Sequence, residues 1–98
     1  MDITVEELKE RLDTGEDLNF LDVREEYEYD EQNLGAKLIP LGELPDRIEE
    51  LEEWKNSEVI VHCRSGARSG KAKSFMESQG FTNVRNVIGG ILAYNKLD

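Results

Sequence analysis

Apolar positions along the chain alternate between stripes at helical spacing and short continuous runs. Val5, Leu8 and Leu12 recur at helical spacing behind Thr4-Val5-Glu6-Glu7. That opening fits a capping box with Thr4 as N-cap and Glu7 at N3. Asp13-Thr14-Gly15 ends the helix, Gly15 being suited to the position just beyond it. Leu18 to Val23 is mostly apolar and predicts a strand covered on both faces. Arg24 to Glu31 is polar apart from Tyr27 and Tyr29 and predicts a short helical turn or a loop. Ala36 to Pro40 predicts a second short strand, stopped by a residue that cannot donate to the ladder.

A helix is expected over Leu41 to Trp54. Pro45 lies in its first turn, Leu44, Ile48 and Leu51 form its inner stripe, and Glu49, Glu50, Glu52 and Glu53 face water. Val59 to His62 is the most apolar run and therefore the expected central strand. A helix follows from about Gly66 to Gln79, with Ala72, Phe75 and Met76 inward and Gly80 as its stop. Phe81 to Val87 predicts a last strand, and Gly89-Gly90 a tight turn. Ile91 to Leu97 predicts a closing helix that packs Ile91, Leu92 and Tyr94. Met1 to Ile3 fits a short edge strand.

Strands alternating with helices predict an α/β fold of three layers, with a small, mainly parallel sheet of 4–5 strands between two helical layers. The 98 residues are expected to form one domain over 1–98. Ligand sites in such sheets lie at the carboxyl ends of the strands. Cys63, Asp22 and Arg24 all fall at such ends.

Composition narrows the chemistry. One cysteine cannot close an internal disulfide, and one Cys with one His does not make a usual zinc site. No metal is expected, and no cofactor is expected either. No apolar stretch approaches the roughly 20 residues of a membrane span. Met1-Asp2-Ile3-Thr4 offers neither a basic nor an apolar region, so no signal peptide is expected, and a cytoplasmic monomer is the default. The net charge of −10 argues against nucleic acid or an anionic membrane as partner. Its distribution is uneven: residues 1–58 hold 20 acids against 6 bases, and residues 59–98 hold 2 acids against 6 bases. The cysteine therefore lies in the one basic part of an acidic chain.

A lone cysteine is usually a small buried hydrophobe. Cys63 instead sits where a strand gives way to a helix, and helix N-termini lower a thiol's pKa. Arg64 and Arg68 add positive charge that also favours the thiolate. Gly66 allows successive N–H groups to converge into an anion nest, and Ser65 and Ser69 add hydroxyl donors. His62 precedes Cys63 on a strand, so the two side chains point to opposite faces and His62 reads as structural. Protease chemistry, which needs a base touching the sulfur, is disfavoured. Asp22 reads as a scaffold that braces the active loop, reaching it through Arg68, with Arg24 beside it.

Cys63-Arg64-Ser65-Gly66-Ala67-Arg68-Ser69 resembles the active-site loop of rhodanese-like sulfurtransferases. Leu21-Asp22-Val23-Arg24-Glu25, with Glu28-Tyr29 after it, resembles the family's first signature. Gly35-Ala36 and Leu38-Ile39-Pro40-Leu41 match its next strand, and Gly80-Phe81, Val84, Gly89-Gly90-Ile91 and Ala93 its C-terminal signature. Asp30 to Ala36 is shorter than the family's usual segment and lacks its histidine, and Tyr94 stands where many members have Trp. The resemblance implies that the Cys63 thiolate takes the outer sulfur of thiosulfate or a related persulfide donor and releases sulfite from the former. A cysteine persulfide would be cradled by residues 64–69, with Arg64 and Arg68 on the sulfonate oxygens. Cyanide, a thiol or a sulfur-accepting protein would then take the sulfur. Phosphatases of similar fold carry Cys-x5-Arg, whereas Cys63 and Arg68 give Cys-x4-Arg, a narrower ring suited to sulfur. A non-enzymatic persulfide carrier remains the alternative, with a phosphatase or arsenate reductase behind it.

Overall fold

The computed structural model describes residues 1–97 and is an α/β fold built on a four-stranded parallel sheet. Its strands are β1 (Phe20–Asp22), β2 (Lys37–Leu38), β3 (Glu58–His62) and β4 (Asn83–Asn86), in the order β2-β1-β3-β4. Leu21 pairs with Val61 and Lys37, and Val59 pairs with Val84, so β1 and β3 are the interior strands. Because all strands run parallel, Asp22 and His62 end side by side, and the residues that follow them share one edge.

Strand alternation divides the core in two. Leu21, Val23, Val59, Val61 and Cys63 point to one face. There they meet Leu44 and Leu51, and also Ala72 and Met76 of α4 (Ala67–Ser78). Phe20 and Ile60 point to the other. They pack against Val5 and Leu8 of α1 (Val5–Asp13) and the half-buried Tyr94 of α5 (Gly90–Tyr94). Both faces being covered explains why β1 and β3 are nearly continuous in apolar residues. Thr4 caps α1 as expected, its Oγ1 accepting from the Glu7 N–H at 3.2 Å. The polar stretch after β1 is a short helix, α2 (Glu26–Glu31).

Three expectations need correction. The helix over Leu41 to Trp54 is broken into a 3₁₀ turn (Leu41–Glu43), one α-turn, α3 (Leu44–Arg47), and a second 3₁₀ helix (Ile48–Trp54). Ile48, Leu51 and Trp54 all contact the core. Their spacing of three residues matches the 3₁₀ repeat, in which i and i+3 lie one above the other. The closing helix begins at Gly90 and ends at Tyr94, and Leu92 is 39% exposed rather than packed. The N-terminal edge strand shrinks to a single parallel bridge between Ile3 and Val87.

Charges join α1 to the sheet. Arg11 Nη2 lies 2.6 Å from Glu58 Oε1, and Arg85 Nη1 lies 2.8 Å from Glu58 Oε2. The Arg11 guanidinium, helped by Arg85, holds the Glu58 carboxyl at about 2, below its usual 4.5. A depressed folded pKa stabilises above the unfolded value and is lost as pH falls from about 4.5 toward about 2. Glu58→Gln should therefore flatten the acid limb of a thermal-stability profile across that window. Parallel profiles for the two proteins would remove Glu58 from acid-linked stability.

Candidate active site

Cys63 is the first residue beyond β3, 1% exposed, with its side chain on the α4 face. The chain then turns sharply through Arg64 and Ser65 to Gly66, whose φ of 105° lies in the left-handed region that glycine tolerates. That turn aims donors back at the sulfur. The Gly66 N–H lies 3.1 Å from Sγ and the Ser69 Oγ 3.2 Å from it, and the Ser65 and Ser69 N–H groups add to the same effect. Burial opposes ionisation of the thiol, but the Ser69 hydroxyl and the three N–H groups outweigh it, so the Cys63 pKa falls below the ordinary 9.0. The bowl can hold a thiolate, or a second sulfur carrying that charge.

Two contacts from the far end of the sheet fix the bowl. Asn86 Nδ2 donates to the Gly66 carbonyl at 3.0 Å, and Ser69 Oγ lies 2.5 Å from Asn86 Oδ1. The single Ser69 proton serves either Asn86 or the sulfur; an ionised sulfur is the stronger acceptor. The start of α5 closes the other side. The Ile91 and Leu92 N–H groups donate to the Cys63 and Arg64 carbonyls at 3.0 and 3.1 Å. Gly90 permits this approach: at a φ of 61°, a Cβ there would fall 2.4 Å from the Arg64 oxygen.

The outer wall is a chain of charges. Asp22 is fully buried and accepts from the Arg24 N–H and from its guanidinium, Nη2 approaching to 2.8 Å. Arg24 also donates to the Gln32 carbonyl at 2.7 Å, which clamps the far end of α2. Glu28 of α2 in turn receives Arg68 in a two-pronged pair, at 2.6 and 2.9 Å.

The sequence profile of the rhodanese-like domain family matches residues 4–97. The chain belongs to that family. It is 35% identical over 94 residues to the protein named "Sulfurtransferase" from Allochromatium vinosum, covering 95% of this chain and 86% of that protein. It is 44% identical over 91 residues to "Putative sulfur carrier protein YrkF" from Bacillus subtilis, covering 92% of this chain but only 48% of that protein's length. A crystal structure of a rhodanese-like domain protein from Staphylococcus aureus superposes with a TM-score of 0.82 at 34% identity, covering 96% of this chain and 91% of the other.

Within this rhodanese-like domain most of the expected site residues come together. Cys63, Ser65, Gly66 and Ser69 form the bowl, Ala67 begins α4, and Arg64 projects into solvent. Asp22 bonds Arg24, which reaches α2, and the expected link from Asp22 to Arg68 is not formed: Arg68 bonds Glu28. His62 is fully buried on the opposite face, its ring 5.1 Å from that of Phe20. Burial holds its pKa below the usual value, against the pull of Asp22, so it stays neutral and away from the sulfur. Glu28 and Asn86 were assigned no role from sequence. Arg24 lies before α2 and bonds the backbone carbonyls of Glu28 and Gln32, so no side-chain pattern in the sequence marks the clamp.

Removing the Ser69 hydroxyl should raise the thiol pKa. Ultraviolet thiolate absorbance of Ser69→Ala should titrate at higher pH than the parent; an unchanged midpoint would exclude that hydroxyl from thiolate stabilisation. Gly90→Ala should displace the loop, lowering thermal stability and slowing alkylation of Cys63 by iodoacetamide, and unaltered values of both would show that the close approach is not needed.

Proposed function

We propose that the chain is a sulfurtransferase of the rhodanese type, carrying sulfane sulfur on Cys63. The observation that carries this reading is the convergence of loop N–H groups and the Ser69 hydroxyl on a sulfur whose ionisation they favour. The Cys63 thiolate attacks the outer sulfur of thiosulfate or a related persulfide donor. The donor's S–S bond breaks, its remainder leaves with the electron pair, and Cys63 becomes a persulfide. A thiol or cyanide attacks the terminal sulfur next and restores the thiolate. Ser65, Gly66, Ala67, Arg68 and Ser69 supply the cradle, Arg64 adds outer positive charge, and Asp22 and Arg24 brace it. Donors of this kind in other enzymes are worth about 3 kcal/mol each. All these residues come from one chain, so a monomer suffices. A reducing compartment such as the cytoplasm keeps the thiol free. No helix among the described residues is long and apolar enough to cross a membrane.

The sulfur-carrier name of one relative supports a second reading, in which the same persulfide is handed to a partner protein. A phosphatase is disfavoured. Glu28, the carboxylate bonded to the loop arginine, is held at about 2 by that arginine and so is ionised and unable to donate a proton to a leaving group.

Intact mass after incubation with thiosulfate or an alkyl persulfide should show one added sulfur, removed by cyanide. Cys63→Ser should take up none while keeping its circular dichroism. Absence of the adduct with both donors, together with turnover of a phosphate ester, would refute the sulfurtransferase reading.

A further inference from the structure

The two arginines of the loop are not equivalent. Arg64 is exposed and makes no ion pair among the described residues. Arg68 is one-third exposed, and both of its terminal nitrogens are taken by the two oxygens of Glu28. Glu28 is no casual surface partner. Its side chain is only 14% exposed, and the oxygen facing Arg68 Nη1 also accepts the Glu25 N–H at 3.0 Å. It rides on α2, which Arg24 clamps to buried Asp22. Arg68 holds the Glu28 carboxyl well below the usual range, so it stays charged at any working pH.

We infer that Glu28 selects the sulfur donor, disfavouring the thiosulfate dianion and favouring an alkyl persulfide, R–S–SH. This rests on the sulfurtransferase reading above and deepens it. A sulfonate has three oxygens and is well matched by the planar fork of an arginine, but the Arg68 fork is occupied. To reach it, the sulfonate must displace a fixed carboxylate that repels it. Arg68 and Glu28 cancel, which leaves Arg64 as a single, solvent-screened positive charge against two negative ones. An alkyl persulfide makes no such demand. Its reacting sulfur needs only the cradle around Cys63, and the exposed Leu92, whose N–H bonds the Arg64 carbonyl, offers an apolar group beside the loop for its alkyl part. The step balances without oxidant or reductant. The Cys63 thiolate forms a bond to the terminal sulfur, the S–S bond of R–S–SH breaks, and R–S⁻ leaves with the electron pair. The proton stays on the transferred sulfur.

The test compares persulfidation of Cys63 by thiosulfate, by hydroxyethyl persulfide and by a short peptide bearing a cysteine persulfide, in the parent and in Glu28→Gln. The amide keeps an oxygen for Arg68 and the Glu25 N–H but removes the charge. The ratio of kcat/KM for thiosulfate to that for hydroxyethyl persulfide should rise about tenfold in the variant, mainly through a lower thiosulfate KM, since one repelling charge close to a dianion is removed. An unchanged or lower ratio would overturn the inference. Should the variant fold poorly, the parent alone decides. Its thiosulfate kcat/KM should vary little with ionic strength, and a steep decline with salt would reveal an open cationic site. Faster loading by the peptide than by hydroxyethyl persulfide would assign the persulfide to a protein donor, and the reverse order to a small molecule. If thiosulfate outpaces both alkyl persulfides in the parent, the selectivity is absent although the sulfurtransferase reading stands. If no donor loads Cys63 in either protein, both conclusions fall.

Discussion

A sulfur shut away from water can hold negative charge only if polar hydrogens close around it, and that requirement organises this molecule. Cys63 is almost completely buried, so water alone cannot solvate its thiolate. The N–H groups that replace water belong to the turn leading into α4, and they converge because Gly66 adopts a left-handed conformation. The turn would be loose by itself. It is held from β4 by Asn86 and from α5 by two N–H groups, and α5 gets close enough only because Gly90 has no side chain. The parallel sheet makes this possible, because every strand delivers its carboxyl end to the same edge.

A second set of contacts governs what the sulfur meets. Isolated buried ion pairs contribute little net stability, since desolvating two charges offsets their attraction. The Asp22–Arg24 pair is better understood by what it positions. Its guanidinium is satisfied on several sides, and one of its bonds goes to the end of α2. That holds Glu28 where it meets Arg68. A charge buried at the end of β1 thus reaches the rim of the cysteine bowl through a helix of six residues. The local charge at the rim is lower than the two loop arginines alone suggest.

Much of the fold was legible before any coordinates. Apolar runs at Leu18–Val23 and Val59–His62 marked the two interior strands, because a strand buried on both faces has little room for polar residues. The opposite facing of His62 and Cys63 followed from strand alternation and is observed. Other features were misread where two rules competed. Leu44, Ile48 and Leu51 fit an α-helix, but Ile48, Leu51 and Trp54 fit a 3₁₀ repeat, and packing on the sheet favoured the second for the later turns. Leu92 looked like core by its chemistry but stays partly exposed, since the short α5 turns Ile91 inward instead.

The sequence alone determined the sheet, the order of its elements, the cysteine at a strand end and the donors within six residues of it. Those features depend on local spacing, which repeats and glycines encode directly. Only the tertiary structure decided the partners of the charges. Asp22 paired with its near neighbour Arg24 and not with Arg68, which paired with Glu28 forty residues away. Asn86 joined the loop from another strand. Any of several acids and amides could have filled those roles by type, and selection among them depends on which helix the sheet brings alongside. That long-range placement has no local signature, and it separates an open cationic nest from one already occupied by a carboxylate.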